Sequence, residues 1–180
     1  MRLTVDRRVL ALALLLLLPA CGRRGGSPAV PPPPPPTPFP PPTRIYYDNS
    51  GGVQDSLRLV IKQADDFATI WQQATSRQTS PPPAPAVDFG NEMLIVAGAG
   101  RMRPDDQIAV DSVYRTRELD TSGRMVEMLN VVIRTTTGCR PFNADAYPLD
   151  IVRVRRFDGP VKFVEERARA QGCTPPEDPA

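Results

Sequence analysis

Apolar residues alternate with polar ones over much of the chain beyond residue 44, in short runs of β-strand length. Successive side chains of a strand point to opposite faces of a sheet, so this alternation predicts strands with one buried face. In the segment 125–135 the inward set is Leu129, Val131 and Ile133, because the opposite set includes Arg134. The predicted strands are 45–47, 57–61, 92–97, 107–118, 125–135, 149–155 and 161–164.

Two segments depart from this alternation. Apolar side chains at positions 67, 70, 71 and 74 have the spacing of one helix face, which predicts an amphipathic helix at about 65–75. Trp71, the only tryptophan, is expected to anchor the core, and a platform for a ligand is the alternative. The run 92–97 is apolar almost throughout and predicts a central strand that is covered on both faces.

Turn and terminal signals complete the expected fold. Asp-Thr-Ser-Gly at 120–123 predicts a hairpin turn, and the charged segment 165–171 predicts a last short helical turn. One amphipathic helix and six to seven mostly antiparallel strands make the expected fold class α+β and β-rich. We expect a single domain over residues 45–173, followed by a disordered tail at 174–180.

The N-terminal residues have a different pattern. Three arginines among the first eight residues precede an apolar run at 9–18, and Ala20 stands directly before Cys21. This pattern predicts a secretory signal peptide over residues 1–20, with an apolar run too short to span a bilayer. The sequence at Cys21 resembles the bacterial lipobox, which implies that the Cys21 thiol is acylated and anchors the chain to a membrane. An ordinary secretory signal with a chance cysteine is the alternative.

Proline dominates residues 21–44. Consecutive prolines favour a polyproline II rod, in which residues 28–42 extend about 45 Å at roughly 3.1 Å per residue. We expect a spacer, and a ligand for a proline-recognising domain is the alternative. Gly22 and Arg23 follow the predicted lipid site, where an aspartate would resemble the inner-membrane retention signal of enteric bacteria. The expected location is the bacterial cell envelope, with the outer membrane favoured over the inner if the host has both.

Charge and cysteine content narrow the class of protein. Removal of residues 1–20 takes away three arginines and one aspartate, which reduces 22 basic and 20 acidic residues to 19 of each. A neutral chain without a clustered positive excess does not predict nucleic-acid binding. Cys139 and Cys173 remain as an even pair in an oxidising compartment, which predicts a disulfide that closes a loop of 34 residues. A redox pair or metal site is the alternative, without a Cys-x-x-Cys spacing or a histidine to support it.

Catalytic groups are sparse in this sequence. The chain has no histidine, which removes the usual general base for a serine or cysteine nucleophile. The only lysines, Lys62 and Lys162, lie beside predicted strand residues and are expected to be solvated rather than part of a serine-lysine dyad. Adjacent carboxylates at 105–106 and 165–166 lack the regularly spaced oxygen ligands that calcium needs. The sequence therefore predicts no catalytic residue, no metal site and no cofactor.

The loop at 98–107 is the candidate binding site. It joins the predicted buried strand 92–97 to the next strand, and loops on a rigid sheet are a frequent place for recognition. Its charged side chains are Arg101, Arg103, Asp105 and Asp106. Contact with a partner carboxylate in the forked geometry of a guanidinium group is the role expected of the two arginines. A solvated connector is the alternative for each of these residues.

Five short motifs follow one another in a recognisable order: Leu-Val-Ile at 59–61, Ile-Trp at 70–71, Val-Asp-Phe at 87–89, the strand 93–97 with Gly100 after it, and the segment 148–154. This order resembles the C-terminal domain family named after PrcB, a protease-complex accessory lipoprotein, over residues 57–164. Many members of that family are bacterial lipoproteins or secreted proteins, and the naming member is a partner of an exported subtilisin-like protease. The resemblance implies a noncatalytic module that binds an envelope protein, such as an exported protease.

One loop departs from the family pattern. The family carries a Thr-Gly-Gly-Tyr-like stretch after a proline, whereas here Pro104 is followed by Asp-Asp-Gln-Ile at 105–108. No contact residue is therefore carried over from the family. The alternative function is a small-molecule or ion sensor that uses the loop 98–107, and an enzyme with a lysine dyad is the third.

Overall fold

Two four-stranded sheets and one helix account for residues 34–140 and 144–173, which are the residues that the computed structural model describes. In chain order the elements are β1 (Thr37–Pro38), β2 (Thr43–Asp48), β3 (Ser56–Ile61), α1 (Ala64–Thr75), β4 (Glu92–Ala99), β5 (Gln107–Leu119), β6 (Met125–Thr137), β7 (Leu149–Arg155) and β8 (Val161–Arg169). Sheet A has the order β1-β5-β6-β8 and sheet B the order β2-β7-β4-β3. All neighbours are antiparallel except β6 and β8. The β-rich α+β fold is confirmed, with eight strands rather than six or seven.

Strand β4 separates two apolar layers, because its side chains alternate between the two faces of sheet B. Met93 and Ile95 belong to the layer between the two sheets, whereas Leu94 and Val96 belong to the layer under α1. All four side chains are fully buried. The prediction of a central strand covered on both faces is confirmed.

Helix α1 packs on the outer face of sheet B through the predicted apolar stripe, whose four positions are all buried. The Trp71 ring contacts Tyr46 and Phe67 edge-on, with centroid distances of 4.9 and 5.7 Å. The Trp71 indole N–H donates to the carbonyl of Pro82 at 3.1 Å. Trp71 is therefore a core anchor with its polar atom satisfied, as the sequence predicts.

The β5–β6 hairpin is the longest strand pairing and turns at the predicted residues. Gly123 has a φ of 79°, a value that favours glycine, and its amide donates to the carbonyl of Asp120 at 2.9 Å. The predicted inward set of Leu129, Val131 and Ile133 is fully buried between the sheets. The alternation of apolar residues thus gives the correct face of β6.

The segment 165–171 does not form a helical turn, because β8 continues to Arg169. Strand β8 pairs in parallel with β6 along its whole length. Glu166 lies opposite Arg134 in this pairing and accepts a hydrogen bond from it at 3.2 Å. The prediction was wrong because a continuous ladder with a neighbouring strand outweighs the helix preference of glutamate and arginine.

The end of the proline-rich segment belongs to the fold. Strand β1 pairs with the edge of β5, and Phe39 packs on the core beside Phe157 at a centroid distance of 6.4 Å. Proline is compatible with an edge strand, where no ladder partner needs its missing N–H. The structure thus places residues 37–44, which the sequence assigns to the tether, against the sheets. The signal peptide, Cys21 and the tail 174–180 lie outside the described residues. Within the described part of the chain, no helix is long and apolar enough to cross a bilayer.

The disulfide between Cys139 and Cys173 joins the segments that follow β6 and β8, as the sequence predicts. The two Cα atoms are 5.1 Å apart. Thr137 ends β6 opposite Arg169, and its carbonyl accepts a hydrogen bond from the amide of Ala170 at 2.9 Å. The disulfide therefore fixes the end of an edge strand that is already paired.

Candidate functional site

A groove of about 580 Å³ opens between the two sheets, where the edge strand β3 of sheet B faces the edge strand β8 of sheet A. One wall comes from the predicted loop 98–107, through Ala99, Arg101 and Met102. The charged residues that line the groove are Arg58, Arg101, Glu165 and Arg167, and the hydroxyl groups are those of Ser56, Thr135 and Thr137. Three guanidinium groups against one carboxylate give the groove a formal charge of about +2 at neutral pH.

The loop 98–107 is held in place by Asp106, which is buried. Its Oδ1 accepts hydrogen bonds from the amide of Gly138 at 2.8 Å and from Nη2 of Arg103 at 3.0 Å. Burial alone would raise the pKa of Asp106, but the bonds from Arg103 and Gly138 outweigh burial and lower the pKa below its usual value. Arg103 also donates to the carbonyl of Gly138 at 3.2 Å. Arg103 and Asp106 therefore join the loop to the segment beside Cys139.

Asp105 has a similar structural role. One of its carboxylate oxygens accepts a hydrogen bond from the amide of Arg140 at 2.8 Å. Three of the four predicted contact residues, at positions 103, 105 and 106, thus make hydrogen bonds within the domain. Arg101 is the predicted residue that lines the groove.

Arg101 is presented to solvent at the groove. Its side chain is 74% exposed, and its nearest carboxylate, that of Asp145, is 3.8 Å away. Gly100 turns the chain out of β4 with a φ of 74°, in a place where a Cβ would approach the amide nitrogen of Ser56 to 3.2 Å. Met102 then forms two backbone hydrogen bonds of 2.8 Å with Ala146. The Arg101 guanidinium is therefore solvated, while the backbone on either side of it is held by these contacts.

Arg58 bridges the two sheet edges. Its Nε and Nη2 donate to the two carboxylate oxygens of Glu165 at 2.8 and 3.0 Å. Its Nη1 donates to the backbone carbonyls of Leu57 and Gly98 at 2.7 and 2.6 Å. Arg167 lies two residues beyond Glu165 and therefore on the same face of β8. Arg58, Glu165 and Arg167 had no part in the predicted binding site, because strand alternation gives a face but not a partner 107 residues away.

A second polar cluster lies between the sheets near β2. Asp150 has no exposed side-chain surface, and its oxygens accept hydrogen bonds from Nε and Nη2 of Arg44 at 2.7 and 3.1 Å. The amide of Val110 donates to the same carboxylate at 2.8 Å. The hydrogen bond to Asp150 raises the pKa of Arg44, although burial opposes the shift. Burial raises the pKa of Tyr47, whose ring centroid is 5.1 Å from the Arg44 guanidinium. This cluster joins elements of the fold and does not line the groove between β3 and β8.

The lysines lie away from the groove. Nζ of Lys162 is 3.6 Å from a carboxylate oxygen of Glu118, and the carbonyl of Lys62 accepts a hydrogen bond from Arg156. Across residues 34–140 and 144–173, no group of three cysteine, aspartate or glutamate side chains is arranged to hold a metal ion. The described residues thus contribute arginine, hydroxyl and backbone groups to the groove, which suit the binding of an anion.

The relation to other proteins rests on the sequence motifs alone. Comparisons with family models, curated proteins and solved structures find no match for this chain. Membership of the PrcB C-terminal domain family therefore stays a prediction.

Proposed function

We propose that the chain is a noncatalytic, lipid-anchored protein of the bacterial cell envelope that binds another envelope or secreted protein, with an exported protease as one candidate. The groove between β3 and β8 is the proposed contact site. The observation that carries this proposal is the formal charge of about +2 in a groove of a chain that is neutral without residues 1–20. Complementary charge steers a partner towards such a surface and fixes its orientation.

The frame around the groove supports a binding function. Asp106 and Arg103 hold the loop 98–107 against Gly138, and the disulfide of Cys139 fixes the end of β8. A binding surface whose backbone is already ordered loses less conformational entropy when a partner binds. The backbone around the exposed Arg101 is thus organised before any contact forms.

Anchoring to the membrane is the second part of the proposal. The signal peptide at 1–20 would direct export and be removed, and the acylated Cys21 with the proline-rich spacer would then hold the domain at a distance from the bilayer. The substitution Cys21→Ser tests this part by membrane fractionation. We expect the variant to move from the membrane to the soluble fraction and to lose the mass of its acyl chains. A variant that fractionates and matures like the parent would contradict anchoring.

Crosslinking in intact membranes tests the partner. The full-length chain, the groove variant Arg101→Glu with Arg167→Glu, and the matched control Arg124→Glu are purified under mild crosslinking. Arg124 is exposed at the β5–β6 turn, away from the groove. We expect a stoichiometric protein partner with the parent and the control, and its loss with the groove variant. Repeated failure to recover any stoichiometric partner with the parent contradicts the proposal.

A small-molecule sensor is the second candidate, and one observation favours it. The groove volume of about 580 Å³ falls within the range of roughly 300–1,000 Å³ that is typical of ligand pockets. A thermal-shift series with small anionic ligands and with calcium separates the two candidates. A saturable rise in melting temperature that the groove variant abolishes would favour the sensor.

A further inference from the structure

The strand β3 has an unpaired edge. It pairs with β4 on one side over all six of its residues, and among the described residues no strand lies on its other side. The register from Ser56 to Ile61 has no break. An exposed regular edge presents backbone N–H and C=O groups that an added strand can pair with.

The other edges of the two sheets are less suited to strand addition. Strand β1 has only two residues, and β2 has a break in register between Arg44 and Tyr46. Strand β8 is regular but exposes a run of charged side chains at 165–167. Short length, bulges and charges are the features that protect edges from pairing. Strand β3 has neither a bulge nor a proline, and it exposes the apolar side chain of Leu59.

Two grooves of opposite character flank the edge of β3. On the α1 side, a cleft of about 370 Å³ is lined by Leu59, Ile61 and Ile70 together with polar side chains of the helix. Leu59 is 39% exposed there, as one of three large apolar residues with exposed side chains in the described part of the chain. On the sheet A side lies the groove that contains Arg101 and Arg167.

A single strand added to the edge of β3 would contact both grooves, because strands are pleated. Side chains of an added strand alternate between the two faces of the sheet, so one set would point towards α1 and the other towards the arginines. We propose that β3 is the docking edge for an extended segment of a partner protein in which apolar residues alternate with acidic residues. This inference rests on the proposed protein-binding function and names the chemistry of the partner.

Docking requires Arg58 to exchange its present carboxylate partner for one from the added strand. The side chain of its present partner, Glu165, is 49% exposed and can be solvated on leaving, whereas the Arg58 side chain is 20% exposed and stays at the groove. An acidic side chain of the added strand can replace the Glu165 carboxylate in the same forked geometry. The guanidinium also covers the carbonyl of Leu57 at 2.7 Å, so its movement would release an acceptor on β3.

A peptide titration tests the docking edge with the full-length chain in detergent. The probes are three labelled peptides of equal length: alternating valine and glutamate, the same residues in two blocks, and alternating valine and lysine. We expect the alternating acidic peptide to bind most tightly in fluorescence anisotropy. Leu59→Asp should weaken its binding by about tenfold, because the apolar contact of one leucine is lost. Arg167→Glu, on the opposite face, should weaken it as well.

A matched control variant shows whether the effect of Leu59→Asp is specific to β3. Leu119→Asp changes an exposed leucine at the far end of β5 and should leave binding unchanged. Equal affinity for the alternating and block peptides would overturn the inference, and so would an equal effect of Leu59→Asp and Leu119→Asp. In the membrane crosslinking experiment, undiminished partner recovery by Leu59→Asp removes this docking edge but leaves the proposed function intact. Failure of the parent chain to recover any partner would contradict the proposed function. The peptide titration would still show whether β3 binds an added strand.

Discussion

Two arginine–carboxylate pairs connect distant strands with nearly the same geometry. Arg44 donates to Asp150 at 2.7 and 3.1 Å, and Arg58 donates to Glu165 at 2.8 and 3.0 Å. The surroundings of the two carboxylates differ, because the Asp150 side chain has no exposed surface and that of Glu165 is 49% exposed.

The burial of the carboxylate makes Arg44–Asp150 a structural pair and Arg58–Glu165 an exchangeable one. The Asp150 side chain has no exposed surface, and within the described part of the chain its hydrogen bonds come from Arg44 and from the amide of Val110. The Glu165 side chain is 49% exposed, so water or another carboxylate can take its place beside Arg58 at small cost. On the β2 side a buried carboxylate pairs with a half-exposed arginine, whereas on the β3 side a half-exposed carboxylate pairs with an arginine whose side chain is 20% exposed.

Removal of Asp150 should have the largest effect. Asp150→Ala leaves the buried Val110 amide without its acceptor, whereas the half-exposed Arg44 guanidinium can be solvated, and we expect a loss of about 3 kcal/mol of unfolding free energy. Glu165→Ala is the matched control, with an expected loss of less than about 1 kcal/mol. Urea denaturation of both variants measures the difference. Equal losses would show that burial does not distinguish the two pairs.

Removal of the disulfide should have the next largest effect on the free energy of unfolding. The disulfide stabilises the β8 side of the domain, where the Arg58–Glu165 pair contributes little. The joint substitution Cys139→Ala and Cys173→Ala should cost about 3–4 kcal/mol as an upper figure from the chain-entropy model. The reduced parent protein is the control and should match the variant in urea denaturation. A stability equal to that of the oxidised parent would contradict a structural role for the bond.

Asp106 lies between the two extremes of burial and allows a test by pH. Its pKa is lowered in the folded chain, so it stabilises the fold above the unfolded value of about 3.9, and this contribution is lost as the pH falls through the folded pKa. Asp106→Asn should cost about 1–3 kcal/mol at pH 7, since a buried hydrogen-bonding charge is removed. The difference in unfolding free energy between Asp106→Asn and the parent should disappear as the pH falls below about 4.

The control for this pH series is Asp145→Asn, which changes an exposed aspartate near Arg101. Thermal or urea unfolding at several pH values compares the two variants with the parent. A gap that stays constant down to low pH would mean that the charge of Asp106 does not stabilise the loop.

Glu165→Gln should have the smallest effect on stability, below about 1 kcal/mol, because its ion pair is exposed. The same change removes the competing carboxylate from Arg58, so binding of the alternating acidic peptide should become tighter by about threefold. Fluorescence anisotropy measures the affinity, and Glu118→Gln, next to Lys162 and outside the groove, is the control. Weaker binding by Glu165→Gln would show that Glu165 itself contacts the ligand.

Local patterns in the sequence were sufficient for most elements of the fold. The buried face of β6, the stripe of α1 and the central position of β4 all follow from the spacing of apolar residues, and burial in the structure agrees. The disulfide follows from cysteine number and compartment. These features depend on the spacing of residues that are close in sequence, or on an even number of free cysteines. Both can be read from a single sequence.

Features that depend on contacts between distant segments could not be predicted in the same way. The helical turn predicted at 165–171 is a strand because β6 provides a ladder for it, and β1 forms because β5 has a free edge. Only Arg101 of the predicted contact residues lines the groove, since Arg103 and Asp106 satisfy each other and Gly138. Nothing in the local sequence indicates that Arg58 and Glu165 meet across 107 residues.

Amide hydrogen exchange across β3 tests the central claim most directly. The full-length chain is compared with and without the alternating acidic peptide, and the exchange of residues in β3 is followed beside that of β2. Strand addition should slow exchange in β3, whose outward amides gain acceptors, and leave β2 unchanged. Binding of the peptide without any slowing in β3, or with equal slowing in β2, would contradict the account.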